Sequence, residues 1–233
     1  MQEATIAHAY RAEDEWNLAI VLANNGQDFA LQGELEKGLA MGKEGLALFR
    51  RIGDPWGIGL ALCRLGVIYR LMKEPKEAKT YLLEAEKISS DAGSGSHMNN
   101  IKREMALIAL GEGDIVQAAI LTDEALNLAR KSKIADKIAD ALDVVVQVTG
   151  SAGEYEHSLS LAAFLTHYFE SKGELCPPWQ RSQQEANIAL ARQNLSQERA
   201  NRAWQMGVDM TLEQAAHYAE EVARAITHKD KTQ

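Results

Sequence analysis

The chain has 233 residues, of which 46% are hydrophobic and 25% charged, and its formal net charge is −8. That composition can fold and is not that of a disordered tail, while an acidic chain with scattered Lys and Arg argues against nucleic acid or an anionic membrane as primary partner. No apolar run approaches the roughly 18–20 residues that a spanning helix needs, and the opening MQEATIAHAYRAEDEW lacks the basic-then-apolar layout of a secretory signal.

Residues 1–14 read as a polar lead-in helix. A first helical pair follows at 15–54, opening on Trp16, Leu18, Ile20, Val21 and Leu22. Its first helix must run on through Asn24-Asn25-Gly26, where glycine costs about 1 kcal/mol against alanine. Asp54-Pro55 then marks a fresh start, with Asp54 as N-cap and Pro55 in the first turn. The second pair spans 55–94, with Leu62, Leu65 and Ile68 as one apolar stripe and Leu82, Ala85 and Ile88 as the other,.

Gly93-Ser94-Gly95-Ser96-His97-Met98 looks like an expression-tag scar. The register continues across it undisturbed, so it reads as a native loop leading into a third pair over 95–134. The fourth covers 135–178. Cys176-Pro177-Pro178 ends the array, and 179–233 reads as a helical cap with a solvated tail. Within the cap, Ser182-x-x-Glu185 and Thr211-x-x-Gln214 both fit the capping box.

The four pairs are copies of one another. Gly66, Ala78, Leu82 and Ala85 step forward 40 residues onto Ala106, Ala118, Thr122 and Ala125, then onto Val146, Ser158, Ala162 and Leu165. One step back finds Gly26, Gly38, Gly42 and Gly45, and the inter-helix turn repeats at Gly33-Glu34, Lys73-Glu74, Gly113-Asp114 and Gly153-Glu154. A fixed period in this range is the signature of stacked repeats, and small residues at crossings let paired helices nest. The expected fold is all-α, a right-handed α-α superhelix of about four helix pairs with a C-terminal helical cap.

These columns resemble the tetratricopeptide repeat (TPR). Leu65-Gly66, Tyr69, Ala78, Leu82 and Ala85 stand where that family has Leu-Gly, Tyr, Ala, Phe and Ala. The period is 40 rather than 34, and no unit keeps the family's early Trp or terminal Pro. The segment LEKGLAMGKEGLALFRRIGDPWGIGLALCRLGVIYR and the closing LSQERANRAWQMGVDMTLEQAAHYA further resemble the C-terminal helical-repeat arm of bacterial LuxR/AfsR-type or adenylate-cyclase-like signalling regulators. The resemblance implies a sensor or scaffold arm that binds an inducer or partner protein and restrains a nucleotide-binding switch domain in a longer parent chain. This chain carries neither that domain nor a DNA-binding helix-turn-helix.

No catalytic constellation is written in the sequence. There is no phosphate-binding G-x-x-x-x-G-K-[ST] motif, and the six histidines form no H-E-x-x-H or Cys/His cluster. Cys63 and Cys176 lie in different repeats, and two thiols in a chain this long make no disulfide framework. The expectation is a reduced, cytoplasmic, non-enzymatic protein with no cofactor and no metal. Its candidate site is a mixed groove lined by the first helices of successive pairs. The groove would be built from Asn24, Gln27, Cys63, Arg64, Val67, Arg70, Arg103, Leu107, Asp143 and Gln147. Its arginines could hold carboxylates bidentately and its amides could bond a peptide backbone. The expected partner is a protein or peptide. The alternative is a structural scaffold without a ligand groove, dimerising through Phe29, Leu31 and Leu35.

Overall fold

The computed structural model describes residue 10 and residues 14–93, 95–173 and 178–229. Apart from Tyr10 and Asp14, the expected lead-in helix lies outside that range, as do Cys176 with the break at Pro177 and the tail beyond 229. The described residues form eleven α-helices and one 3-10 turn at Gly95–His97, with no strand among them. In chain order the helices are α1 (Glu15–Leu31), α2 (Leu35–Ile52), α3 (Pro55–Leu71), α4 (Pro75–Asp91), α5 (Met98–Gly111) and α6 (Ile115–Ser132). They continue as α7 (Ala135–Ser151), α8 (Tyr155–Ser171), α9 (Pro178–Asn194), α10 (Gln197–Val208) and α11 (Leu212–Lys229). The all-α class expected from the repeat pattern is the one observed. The chain divides into two compact units, Met1–Glu104 and Met105–Gln233, with the division falling inside α5.

A single backbone rule sets the helix lengths. Left-handed φ occurs at Gly33, Gly53, Lys73, Gly93, Gly113, Lys133, Gly153 and Gly173, one every 20 residues. Each sits just past a helix end, where a residue with positive φ turns the chain and lets the last carbonyls find donors. In the turns inside the pairs the bonding is the same each time. The N–H groups of Glu34, Glu74, Asp114 and Glu154 donate to Phe29, Tyr69, Ala109 and Thr149, all at 2.9 Å. The Asn24-Asn25-Gly26 run does not interrupt α1. Asp54 caps α3 as expected, accepting from the Trp56 N–H at 3.1 Å.

Close crossings hold each pair. A methyl group on Gly38 would lie 2.4 Å from the Gly26 carbonyl oxygen, and one on Gly26 would lie 2.8 Å from that of Gly38. In the second pair a methyl group on Gly66 would lie 2.6 Å from Leu82 rather than against Ala78, so a leucine fills the space that glycine fills in the first. A related exchange joins consecutive pairs. The Phe49 ring occupies the space over Gly57, whereas one repeat later the small residue is Ser89 and the larger one is His97, both against Gly59. His97, at the end of the tag-like loop, is buried and lies 5.1 Å from the Trp56 ring.

In the second unit the cap completes the core. Leu126, Leu142, Val146, Leu161 and Leu165 form one apolar cluster with Ala215, Ala216 and Ala219 of α11. Val222 and Ile226 of α11 join Ala106, Ala118 and Val144 in another. Arg130 on α6 pairs with Glu213 and, at 2.7 Å, with Glu220. The α10 helix lies so close to α8 that a Cβ on Gly207 would meet the Ser160 carbonyl oxygen at 1.9 Å, while the Ser160 hydroxyl donates to the Ala203 carbonyl at 2.9 Å. The Thr211 capping box forms in both directions: the Thr211 N–H donates to Gln214 Oε1 at 2.8 Å and the Gln214 N–H to Thr211 Oγ1 at 3.3 Å. The Ser182 box does not act as a cap, because α9 has already begun at Pro178.

Lysine in the left-handed region costs more than glycine does. Left-handed strain of about 1–2 kcal/mol, less about 0.4–1 kcal/mol for glycine's freer unfolded chain, means that Lys73→Gly and Lys133→Gly should each raise stability by about 0.5–1 kcal/mol in urea unfolding. Gly207→Ala should lower it by about 1–3 kcal/mol, since backbone rather than a flexible side chain blocks the methyl. An unchanged midpoint for the alanine variant would contradict this seating of α10.

Candidate functional site

The first unit gathers an unusual number of charged and amide side chains on the first helices of its pairs. Arg64 on α3 reaches back to α1, donating from Nε to Asn24 Oδ1 at 3.2 Å and from Nη1 to Gln27 Oε1 at 2.8 Å. Arg70, two turns further along α3, donates from Nε to Glu104 Oε2 on α5 at 2.7 Å. Arg103 Nη2 donates to the other oxygen of Glu104 at 3.1 Å. The Glu104 side chain is 2% exposed, against 26% for Arg70 and 17% for Arg103. Burial by itself would push the Glu104 carboxyl up, but the two guanidiniums outweigh it and hold the group below the usual carboxylate range,.

This geometry sorts the ten expected site residues. Asn24, Gln27, Arg64, Arg70 and Arg103 come together in the first unit, and all five are half-buried. Cys63 and Val67 are core residues, 1% and 3% exposed, so they pack behind the polar groups rather than facing a ligand. Burial, helped by Glu104 and opposed by Arg64 and Arg103, pushes the Cys63 thiol up to about 11, which leaves it inert as a nucleophile near neutral pH. Leu107, Asp143 and Gln147 belong to the second unit, where Gln147 Nε2 donates to Asp143 Oδ2 at 3.0 Å and Leu107 packs on an apolar cluster.

Glu104 escaped the sequence reading, although a signal was available. It stands one repeat after Arg64, in the column that begins at Asn24. Its carboxylate changes what the arginines can do. Arg70 and Arg103 already share an internal anion, whereas Arg64 is held by two neutral amides and makes no ion pair among the described residues. Two of its five N–H donors are committed to these amides, and the others make no hydrogen bond among the described residues,.

The apolar edge expected at Phe29, Leu31 and Leu35 is not an open one. Phe29 is buried, with Lys37 Nζ 3.6 Å above its ring, and the two leucines are half-buried. Exposed aromatic surface on this unit comes instead from Tyr10, 50% exposed, and from Trp16 stacked on Trp56 at 6.1 Å, 41% and 36% exposed, with Trp16 Nε1 donating to Asp54 at 2.8 Å. Among the described residues no group of three or more His, Cys, Asp or Glu is placed to hold a metal ion, and no helix is long and apolar enough to cross a membrane.

No protein-family model matches the chain, and no curated protein sequence matches it. Solved structures do. BtubC (BKLC) from P. vanneervenii superposes with a TM-score of 0.57 at 16% identity, covering 100% of this chain and 93% of that one. A Podosopora anserina putative kinesin light chain with nearly identical TPR-like repeats gives a TM-score of 0.53 at 14% identity, covering 95% of this chain and 100% of that one. The fold is that of TPR-like repeat proteins. At these identities the likeness concerns fold alone.

The buried pair gives a pH-dependent prediction. A carboxyl whose folded pKa is depressed stabilises the fold above its unfolded pKa, about 4.3, and loses that contribution as pH falls through the lower folded value. Glu104→Gln should therefore cost about 2–4 kcal/mol at pH 7. The gap from wild type should narrow as unfolding is measured at pH values below about 4. A gap that stays constant with pH would contradict an ionised, stabilising Glu104.

Proposed function

We propose that the chain is a protein-interaction module whose first unit binds an acidic segment of a partner protein. The observation that carries this reading is Arg64, half-buried, aimed by Asn24 and Gln27, and without an ionic partner among the described residues. A carboxylate arriving there meets an oriented guanidinium, so little side-chain entropy remains to be lost. TPR-like repeats generally mediate protein–protein contacts.

Within that module role, the resemblance of the closing helices to LuxR/AfsR-type and adenylate-cyclase-like regulators supports a finer reading. The chain would act in the bacterial cytoplasm as the sensor or scaffold arm of a signalling regulator, restraining a nucleotide-binding switch domain through the same acidic contact. A second reading, a self-associating scaffold, is favoured by the exposed Trp16–Trp56 stack with Ile52 beside it in sequence, 39% exposed.

Titration of a fluorescent, end-blocked Asp/Glu-rich peptide tests the first reading. Arg64→Gln should weaken binding by roughly ten- to a hundredfold, the range of a charge-assisted hydrogen bond, and added salt should weaken the wild type. Equal affinity for Arg64→Gln and wild type would overturn it. Analytical ultracentrifugation tests the second: a concentration-dependent dimer abolished by Trp56→Ala would establish the scaffold in its place.

A further inference from the structure

The second unit carries a shallow depression of about 490 Å³, largely open to solvent, where α10 ends and α11 begins. Its apolar wall is made of Met206, Met210 and Tyr218. Met206 is 45% exposed on the surface of a folded domain. The Tyr218 ring is fixed rather than free, because its hydroxyl bonds His157 Nδ1 of α8 at 2.5 Å. Methionine side chains adapt to varied apolar shapes, and a volume of this size holds a few side chains.

The polar side of the depression is mainly acidic, with His217 as its one ionisable base. Asp209 and Glu221 line it, and neither lysine nor arginine does. Asp209 Oδ1 accepts from Gln205 Nε2 at 2.9 Å and Glu221 Oε1 lies 3.5 Å from His217 Nε2, which leaves the second oxygen of each carboxylate for another donor. The C-terminus of α10 at Val208 and the N-terminus of α11 at Leu212 both lie here, so their dipoles oppose one another and the two carboxylates set the local sign. Of the other two polar wall residues, Gln214 is committed to the Thr211 capping box and His217 lies against Glu221.

We propose that this depression is a second docking site, selective for a partner segment in which an aliphatic or aromatic side chain stands beside a lysine or arginine. The apolar side chain enters between the two methionines, and the cation meets Asp209 and Glu221. The charge preference is opposite to that of Arg64, and the two sites are tested independently.

The test uses the full chain with ¹³C-methyl-labelled methionine, titrated with two end-blocked tetrapeptides, Leu-Lys-Leu-Lys and Leu-Glu-Leu-Glu. The lysine peptide should give saturable shifts at the Met206 and Met210 methyls and the glutamate peptide none. Asp209→Asn with Glu221→Gln, both exposed isosteric changes, should weaken the lysine peptide roughly five- to tenfold, while Arg64→Gln leaves it unchanged. Comparable shifts with both peptides, no saturable shift with the lysine peptide, or full affinity in the double variant would each overturn the proposal.

Discussion

The structure depends on where the backbone can turn left-handed. Eight such residues, at intervals of 20, are the positive-φ positions among the described residues. Between them the helices of the four pairs run 14 to 18 residues. Each turn repays its strain by giving the terminal carbonyls of a helix their donors. Six of the eight positions are glycine, and the two lysines show that the fold tolerates a Cβ there at a cost. Keeping this spacing constant keeps the crossings in register, so the Gly26–Gly42 approach has its counterpart in Gly66–Leu82, and Gly26–Gly38 in the Ser158 hydroxyl on the Val146 carbonyl at 2.9 Å.

The same face of the second helices is satisfied in two different ways. In the first unit Lys43 lies over the Tyr69 ring, Tyr69 stacks on Tyr81 at 5.1 Å, and Arg50 pairs with Glu84 at 2.7 Å. Two repeats on, the counterparts of Lys43 and Arg50 are Asp123 and Arg130, and both contact α11 instead. The counterparts of Tyr69 and Tyr81 there are Thr149 and Leu161, smaller side chains that are fully buried. Bulky aromatics complete one unit from within its own pairs. A returning helix completes the other, and Gly207 lets the cap approach α8 closely enough to make that return.

Much of this was legible in the sequence because it is written in residue size and spacing. The 40-residue period, the all-α class, the Asp54 start and the Thr211 capping box all follow from local chemistry. The loop at 93–98 keeps the register expected of it, with His97 buried against Trp56. Long-range pairings were less legible. Ser182 imitates a cap inside a helix that had already started. Phe29 seemed available for an interface, yet tertiary packing and Lys37 cover it. Cys63 and Val67 share helix faces with polar residues, and only the neighbouring helices determine that they are buried.

The site turns on a distinction of charge that spacing alone does not reveal. Three arginines looked equivalent, but a buried carboxylate takes two of them and amides orient the third. Arginine side-chain NMR tests that division most directly, following the Nε–H signals of Arg64, Arg70 and Arg103 while an end-blocked acidic peptide is added. The account predicts a saturable shift at Arg64, with Arg70 and Arg103 staying on Glu104 and their signals unmoved. Equal movement of all three, or movement at Arg70 and Arg103 alone, would contradict it and place the anion on the buried pair instead.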